Sequence, residues 1–399
     1  MNRETLDNTP SRLMRICFIS HSSGLGGAEK ALLELVTTLK EKDVYSVVVV
    51  PSHGLLSEEL DKAGIDFITS KYWWWVSKDS VLWKRIARTI LNLFTPIAIA
   101  YKVKRYNVNI VCSNTLTISV GMAVAKLLGT PHIYFIHEFG KEDHGLQFDL
   151  GQNISLNLMN KFSAGIICNS KAVANKFSKY FDRDKLFVVY QSASVEPFKY
   201  NPEEQSKIKA STNCLCCVIV GTLQEGKRQE DAILAVLELK NKGLNVFLEI
   251  VGDGDLKYKS YLFNLVKENN LEDCVHFNGF VNPPFSIISK CDVLLMCSEY
   301  EAFGRVTVEA MLLGKPIVGA KSGGTLELVK DGFNGLLYTT GDYHELAEKI
   351  EYIYYHRDEA INMGLNGYYW AKDLFTKDKY AEGFIEAIDY FKLSKQLKL

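Results

Sequence analysis

Two glutamates near the middle of the second half, Glu301 and Glu309, are the side chains most suited to chemistry in this sequence. They stand in segment 298–335, which reads SEYEAFGRVTVEAMLLGKPIVGAKSGGTLELVKDGFNG. Carboxylates accept hydrogen bonds from hydroxyl groups, so Glu301 could contact a sugar and Glu309 a ribose. A lone glutamate on a helix is more often a solvated surface residue. The residues around the pair therefore decide between the two interpretations.

The residues between the two glutamates predict a binding site for a diphosphate. The continuous apolar run 292–297 predicts a buried strand, and a helix would begin near Gly304. The first amides of that helix, those of Phe303, Gly304 and Arg305, would have no partner within the helix. With the helix dipole behind them, these amides favour an anion. The segment thus combines acceptors for hydroxyl groups with donors for phosphate.

The whole string resembles the donor-site signature of the family-4 retaining glycosyltransferases, which have the GT-B fold. The resemblance covers roughly 14–375, is strongest in the second half and is weaker in 55–108. It implies that Glu301 contacts the transferred sugar and that Glu309 contacts the ribose of a nucleotide donor.

A second segment, GTLQEGKRQEDAILA, resembles the strand, loop and helix that end in the family's diphosphate-binding lysine. This resemblance implies that role for Lys227. The family has an arginine directly after the glycine, where this chain has Thr222 in the donor site. The second diphosphate cation is therefore left open between Arg228 and Arg305.

Two glycine-containing loops complete the implied donor site. VGDGDL, 251–256, resembles the loop that lines the base pocket and places Gly252 and Gly254 there. SGLGGAEKALLEL resembles the loop in which paired glycines, here Gly26 and Gly27, let the backbone approach the donor phosphate.

One histidine, His137, lies at the predicted end of a strand in YFIHEF. An isolated histidine is more often structural, but the family has a histidine near the reacting sugar at the matching position. The resemblance thus implies a catalytic role for His137 beside Glu301 and Lys227. Asn114 and Thr115 end another strand of the same half and would face the same rim.

Short apolar runs alternate with helical patterns along the chain, which predicts an α/β fold. Runs such as SVVVV lack polar alternation and fit parallel strands covered on both faces by helices. Pattern and resemblance together predict two Rossmann-like, doubly wound domains facing a central cleft, with a C-terminal helix crossing back to the first. The predicted division is an acceptor-side domain, 12–195, a linker, 196–212, a donor domain, 213–375, and the terminal helix, 376–399.

Composition places the chain among ordinary globular proteins. The formal net charge of −1 gives no argument for a nucleic-acid partner. Most of the nine cysteines stand in apolar runs, as buried reduced thiols of cytosolic proteins do. The C-x-x-C pair Cys214 and Cys217 is interpreted as part of a strand, not as a metal or redox site. The polar N-terminus does not resemble a signal peptide, so a cytoplasmic location is predicted.

Segment 71–106 raises the question of a membrane. It contains eight Lys or Arg, one acidic residue and four tryptophans. A basic aromatic helix can lie on an anionic membrane surface, with Lys84, Arg85 and Arg88 as the binding patch. Two surface helices with buried tryptophans explain the segment equally well, so peripheral association with the inner face of a membrane is left open. The apolar stretch 89–100, interrupted by Pro96, is too short to span a bilayer.

Three other functions fit the sequence less well. A nicotinamide-dependent oxidoreductase is disfavoured because Glu29 stands where G-x-G-x-x-G needs its last glycine. A sugar-nucleotide epimerase or phosphorylase of the same fold stays open. So does a catalytically silent scaffold, because Thr222 departs from the family pattern.

The resemblance implies retention of anomeric configuration. Fixed cations and helix amides would hold the leaving diphosphate without a metal ion, in agreement with the lack of an Asp-x-Asp pair at a strand edge. No carboxylate of the N-terminal motifs is an evident nucleophile, so same-face attack is favoured. No cofactor is expected beyond the nucleotide-sugar substrate, linked to UDP or GDP. The acceptor would be a glycan, a lipid-linked molecule or another hydroxyl, as in polysaccharide or glycolipid biosynthesis. The sequence identifies neither the sugar, the acceptor nor the oligomeric state.

Overall fold

Two parallel β-sheets, one in each half of the chain, organise the fold. The structure is a computed structural model that describes residues 14–78, 81–202 and 213–394. Three parts of the predicted division lie outside this description. They are the first two residues of the N-terminal domain, 12–13, the linker residues 203–212 and the terminal residues 395–399. The first half contains strands β1 (Arg15–Ser20), β2 (Tyr45–Val50), β3 (Asp66–Thr69), β4 (Val76–Ser77), β5 (Ile110–Asn114), β6 (His132–Ile136), β7 (Gln147–Phe148), β8 (Gly165–Cys168) and β9 (Leu186–Val188). The second contains β10 (Leu215–Val220), β11 (Val246–Val251), β12 (Val275–Gly279), β13 (Val293–Met296), β14 (Ile317–Ala320) and β15 (Gly335–Tyr338).

Helices cover the sheets and connect their strands. Those of the first half are α1 (Gly27–Glu41), α2 (Leu55–Lys62), α3 (Leu82–Lys104), α4 (Val120–Leu128), α5 (Lys141–His144), α6 (Gln152–Phe162) and α7 (Lys171–Phe177). Those of the second are α8 (Gln229–Asn241), α9 (Leu256–Glu268), α10 (Phe285–Ile288), α11 (Arg305–Leu312), α12 (Thr325–Leu328), α13 (Tyr343–Tyr355), α14 (Arg357–Leu374) and α15 (Lys377–Leu393). Short 3₁₀ turns occupy Arg183–Lys185 and Glu225–Lys227.

The order of strands is that of two doubly wound units. The first sheet runs β3-β2-β1-β5-β6-β8-β9 and the second β12-β11-β10-β13-β14-β15, with every neighbouring pair parallel. The short strands β4 and β7 pair antiparallel in a separate two-stranded sheet. Strand β2 is wholly buried over Val47–Val50, because helices cover both faces of the sheet. The predicted pair of Rossmann-like units is confirmed.

The C-terminal helix α15 packs on the first lobe, as predicted. Phe384 lies with its ring centroid 5.7 Å from that of Phe18 on β1. Phe391 fills the space above Gly165 on β8, where an added Cβ would come within 2.2 Å of the Phe391 ring. A larger residue at this position would push α15 off the sheet. Described linker residues such as Phe198 pack instead against the second lobe.

The helix α3 corrects two expectations about segment 71–106. The helix continues through Pro96 for 23 residues, and by length and composition alone it could cross a membrane. Proline deletes one backbone hydrogen bond, but the turns on either side hold the helix together across that gap. The segment therefore contains one long helix, not two short ones.

The basic residues Lys84, Arg85 and Arg88 do not form the predicted membrane-binding patch on the surface of α3. Arg88 Nε donates to Asp149 Oδ2 at 2.9 Å, and Arg85 Nε donates to the Asp149 carbonyl at 3.0 Å. Asp149 is buried, so both arginines anchor α3 to the protein. Lys84 alone of the three is an exposed cation.

Candidate active site

A cavity of about 520 Å³ lies between the two lobes, where the carboxyl ends of their strands face each other. Open α/β sheets bind ligands at this edge. Both lobes contribute predicted site residues to its wall: Gly26, Gly27 and His137 from the first, and Thr222, Lys227, Glu301, Phe303, Gly304 and Arg305 from the second. Thr115 also lines the cavity, whereas Asn114 does not, so the cavity brings together ten of the residues singled out in the sequence.

Glycines shape the loop that presents Glu301 and the start of α11. Gly304 has φ of +90°, and α11 begins directly after it. Gly324 N donates to the Glu301 carbonyl at 2.6 Å. A Cβ at Gly323 would lie 2.2 Å from that same carbonyl oxygen. The pair Gly323 and Gly324 thus allows one loop to support the other, and the first residues of α11 face the cavity.

Lys227 and Glu301 form an ion pair across the cavity wall. Lys227 Nζ donates to Glu301 Oε2 at 2.7 Å, and both side chains are partly exposed. Lysine donates to phosphate oxygens in the same charge-assisted way as to a carboxylate. A donor diphosphate would draw the ammonium of Lys227 away and free Glu301 to accept from hydroxyl groups.

Arg305 joins the two lobes at the cavity floor. Its guanidinium donates to both carboxylate oxygens of Glu34 on α1, at 2.9 and 2.8 Å, and to the Ser192 carbonyl at 2.8 Å. Its buried Nε has no hydrogen-bond partner among the described residues. Glu309 Oε1 lies 3.8 Å from the same guanidinium. Burial raises the pKa of Glu309, and the nearby charges of Arg305 and Lys30 oppose that shift.

Four predicted donor residues lie outside the cavity wall. The guanidinium of Arg228 is held by Asp231 in two hydrogen bonds of 2.7 and 2.9 Å, so of the two candidate cations only Arg305 reaches the cavity. Glu309, on α11 itself, is buried and does not line the cavity. Gly252 and Gly254 instead let their loop pack closely, since a Cβ on either would meet the carbonyl of Gly221 or Leu223 at 1.9 or 2.4 Å.

His137 is held in one neutral tautomer. Its Nε2 lies 2.8 Å from Asn114 Oδ1, and Gln191 Nε2 is bonded to its Nδ1. Since the Gln191 amide donates to Nδ1, the proton resides on Nε2. Burial lowers the pKa of His137 to about 3, helped by the charges of His21 and Arg305. His137 is therefore an uncharged residue of the cavity wall, held between Asn114 and Gln191.

The structure adds cavity residues that the sequence did not indicate as site residues. Glu138 accepts hydrogen bonds from the amides of Leu116 and His137 at 2.7 and 3.1 Å. Burial raises the pKa of Glu138 to about 8, although these two bonds favour the ionised form. Glu138 directly follows His137 after a strand end, and this position was the only signal available.

A second group in the first lobe combines a histidine, a glutamate and a tryptophan. His21 Nε2 lies 3.2 Å from Glu29 Oε1, and Trp74 Nε1 donates to the His21 carbonyl at 2.7 Å. All three line the cavity. Burial lowers the pKa of His21, and the Glu29 carboxylate opposes that shift. His21 follows β1 directly, but only the fold brings Trp74 beside it.

Two sequence profiles match this chain, one on each lobe. The profile described as Glycosyltransferase Family 4 matches residues 25–195, and that described as Glycosyl transferases group 1 matches 201–370. The chain belongs to the family-4 glycosyltransferases. The protein is thus a glycosyltransferase, and an oxidoreductase is excluded. The described ranges contain no group of three His, Cys, Asp or Glu side chains that could hold a metal ion.

Relatives of this glycosyltransferase in sequence and in structure support the assignment. An uncharacterized glycosyltransferase of Methanocaldococcus jannaschii is 28% identical over 66% of this chain and 70% of its own. A lipopolysaccharide core biosynthesis glycosyltransferase of Rhizobium meliloti is 22% identical over 56% of this chain and 63% of its own. The structure of HepE from Anabaena in complex with UDP and glucose superposes with a TM-score of 0.78, at 25% identity, covering 94% of this chain and 99% of HepE.

Proposed function

We propose that this glycosyltransferase moves a sugar from a UDP-sugar to a hydroxyl of a glycan or lipid-linked acceptor, with retention of configuration and without a metal ion. The observation that carries the proposal is the cavity in which Lys227, Glu301 and the start of α11 meet the glycine pair of the first lobe. The complexes of HepE with UDP and with UDP-glucose support a uridine donor.

The donor side can be assigned residue by residue. Lys227 and the first amides of α11 would hold the diphosphate, and Arg305 would add a fixed positive charge at the floor. Negative charge grows on the diphosphate as the glycosidic bond breaks, so these groups stabilise the transition state more than the ground state. Glu301, freed from Lys227, would accept from hydroxyls of the sugar. Glu309 would contact the ribose, although in this arrangement its side chain does not line the cavity.

The acceptor side favours attack on the face from which the diphosphate leaves. A double displacement would need a carboxylate free to attack the sugar. In the first lobe, Glu138 is engaged by two backbone amides and Glu29 is engaged by His21. The departing phosphate oxygen is then the base that takes the proton of the acceptor hydroxyl.

The test is turnover of a panel of nucleotide sugars, followed by release of the nucleotide and by NMR of the product anomer. We expect UDP-sugars to be used, the anomeric configuration to be retained, and the rate to survive excess EDTA. Loss of activity with chelator, restored by magnesium or manganese, would refute the metal-free mechanism. An inverted product would refute same-face attack.

We further propose that the protein works at the cytoplasmic face of a membrane, to which α3 binds peripherally. Large apolar side chains are exposed along this helix: Leu82, Trp83, Ile86, Ile90, Leu93, Phe94 and Ile97. An apolar helix face with flanking lysines is typical of segments that lie in the membrane interface. The relative named for lipopolysaccharide core biosynthesis agrees with a membrane-linked acceptor.

A further inference from the structure

An apolar groove of about 320 Å³ lies beneath α3, on the first lobe and apart from the catalytic cavity. Residues of α3, α4 and α6 line it together with Trp75. Its wall is largely hydrocarbon, with Leu93, Met122, Ala123, Leu158 and Phe162 among the lining side chains. A groove of this size and composition suits a slender apolar ligand.

The polar groups of the groove are largely bonded within the protein. Asn92 donates to the Trp73 carbonyl at 2.9 Å and accepts from the Trp73 amide at 3.1 Å. Thr89 donates to the Arg85 carbonyl, and the indole of Trp75 donates to the Leu116 carbonyl at 2.7 Å. A polar ligand would gain few hydrogen bonds here and would lose those it makes with water. The interior therefore selects a hydrocarbon chain.

The rim of the groove carries positive charge. Lys126, a lining residue, and Lys161 lie with their ammonium groups 5.9 and 5.6 Å from the ring of Phe162. Both lysines are exposed. An aliphatic interior with two cations at one end complements a chain that ends in an anionic group.

The groove is separated from the catalytic cavity by a single layer of chain. Trp75 lines the groove, and its amide donates to the carbonyl of Thr117 at 3.0 Å. Thr117 in turn lines the catalytic cavity. Trp75 thus lies near the catalytic cavity, whereas Lys126 and Lys161 lie in the last turns of α4 and α6, at the opposite edge of the sheet.

We propose that this groove binds the hydrocarbon chain of a single-chain anionic lipid, with the anionic group at Lys126 and Lys161. The proposal goes beyond the proposed function and does not depend on it. The chain site itself is open to test without any transfer assay.

The probes are butyl, octyl, decyl and dodecyl phosphate, titrated below their micelle concentrations into the full-length protein by calorimetry. We expect one saturable site per chain and an affinity that rises about fourfold for each added methylene until the groove is filled. Inorganic phosphate should not compete. UDP affinity, measured in parallel, reports the integrity of the donor site.

Two adjacent, equally exposed residues of α3 give a matched pair of variants. Leu93 lines the groove and Phe94 does not, and each is 67% exposed, so neither change should unfold the protein. Leu93→Asp should weaken the binding of dodecyl phosphate at least tenfold, and Phe94→Asp should leave that affinity unchanged. Binding to vesicles of phosphatidylcholine and phosphatidylglycerol, which tests the outer face of α3, should fall equally in both.

Three results would overturn the proposal. An equal loss of dodecyl phosphate binding in both variants would place the hydrocarbon chain on the outer face of α3. No saturable binding by protein that still binds UDP would leave the groove to another class of partner, such as a protein helix. Affinity independent of chain length would mean that only the anionic group is recognised. Binding of alkyl phosphate without binding of UDP would instead count against the proposed donor.

Discussion

At the scale of single residues, an ion pair joins Lys227, proposed to hold the diphosphate, to Glu301, proposed to contact the sugar. Lys227 lines the cavity and is paired with Glu301, while its neighbour Arg228 is occupied by Asp231. Arg305 also reaches the cavity, but its guanidinium is bonded to Glu34 and Ser192. The three cations therefore differ in how freely they can meet a diphosphate.

This difference predicts the outcome of two neighbouring alanine substitutions. Lys227→Ala should lower kcat by about 10²-fold or more, because one preorganised charge is lost at the leaving group. Arg228→Ala, the matched control, should change kcat by less than about threefold, a loss of under 1 kcal/mol. Steady-state kinetics with a UDP-sugar measures both. A larger effect at Arg228 than at Lys227 would place the diphosphate elsewhere.

Buried histidines predict a dependence of stability on pH. His132 lies between the hydroxyls of Ser113 and Ser163, each 2.9 Å from a ring nitrogen, and burial lowers its pKa to about 3. Below the ordinary pKa of histidine the unfolded chain takes up a proton that the folded chain refuses. The free energy of unfolding should therefore fall as the pH drops from about 6.5 towards 3, by roughly 1 kcal/mol per pH unit for this residue.

The measurement is denaturant unfolding of the wild type and His132→Gln between pH 7 and 4. The variant should show a shallower fall, because glutamine can bond both serines and does not titrate. His53→Gln, which replaces an exposed histidine, is the control and should follow the wild type. Parallel curves for wild type and His132→Gln would mean that His132 is protonated in the folded protein.

Residue types and a predicted helix start indicated Glu301, whereas resemblance to the family implied the roles of Lys227 and of the glycine pair. The group of His21, Glu29 and Trp74 could not be predicted in the same way. Its members meet only because the chain after β3 returns to the end of β1, which no local pattern encodes. Likewise, the engagement of Arg228 by Asp231 depends on a left-handed backbone conformation at Arg228, with φ of +51°.

At the scale of elements, α3 is where local sequence rules were least reliable. A proline inside an apolar run predicts an interruption, but the helix passes through Pro96 and buries that residue against the lobe. The basic residues Arg85 and Arg88 have the composition of a membrane-binding patch, yet they anchor the helix to Asp149. What α3 offers to a membrane is therefore its apolar face.

The double substitution Phe94→Asp and Ile97→Asp tests this face. Both side chains are more than half exposed, so stability should change by less than about 0.5 kcal/mol per site. Co-sedimentation with vesicles containing phosphatidylglycerol should fall at least tenfold, because apolar contact is lost and negative charge is added. Tyr355→Asp, an exposed aromatic on the second lobe, is the control and should sediment like the wild type. Equal sedimentation of all three proteins would contradict membrane docking by α3.

At the scale of the whole molecule, the two lobes touch through a few polar contacts made across long stretches of sequence. Arg305 meets Glu34, Lys30 Nζ donates to Asn282 Oδ1 at 2.7 Å, and Gln224 Nε2 donates to the Asp143 carbonyl at 3.1 Å. The pattern of strands and helices predicts two lobes and a terminal helix, and resemblance to the family implies that this helix returns to the first lobe. The pattern cannot predict which side chains meet across the cleft, because those contacts depend on how the lobes are set against each other.

Glu327 makes another of these contacts, and it joins an element of each lobe. From α12 its carboxylate accepts from the amides of Lys171 and Ala172 at 3.0 and 2.7 Å, the first turn of α7, and from the Tyr190 hydroxyl at 2.7 Å. Ser170 caps the next amide of the same helix. A carboxylate at a helix N-terminus stabilises it by about 1 kcal/mol. Here that stabilisation exists only while the lobes are together.

Glu327→Ala should therefore favour a more open molecule. When the lobes separate, water can satisfy the freed amides of α7, so the loss falls on the closed arrangement alone. A donor that needs both lobes binds in proportion to the closed population, so the Kd for UDP should rise by up to about tenfold. Small-angle scattering should report a larger radius of gyration. Glu345→Ala removes a carboxylate that accepts from the Thr339 amide within the second lobe, and it should leave both quantities unchanged. If Glu327→Ala binds UDP as the wild type does and scatters identically, the contact does not hold the lobes together, and closure depends on Arg305 and Glu34 instead.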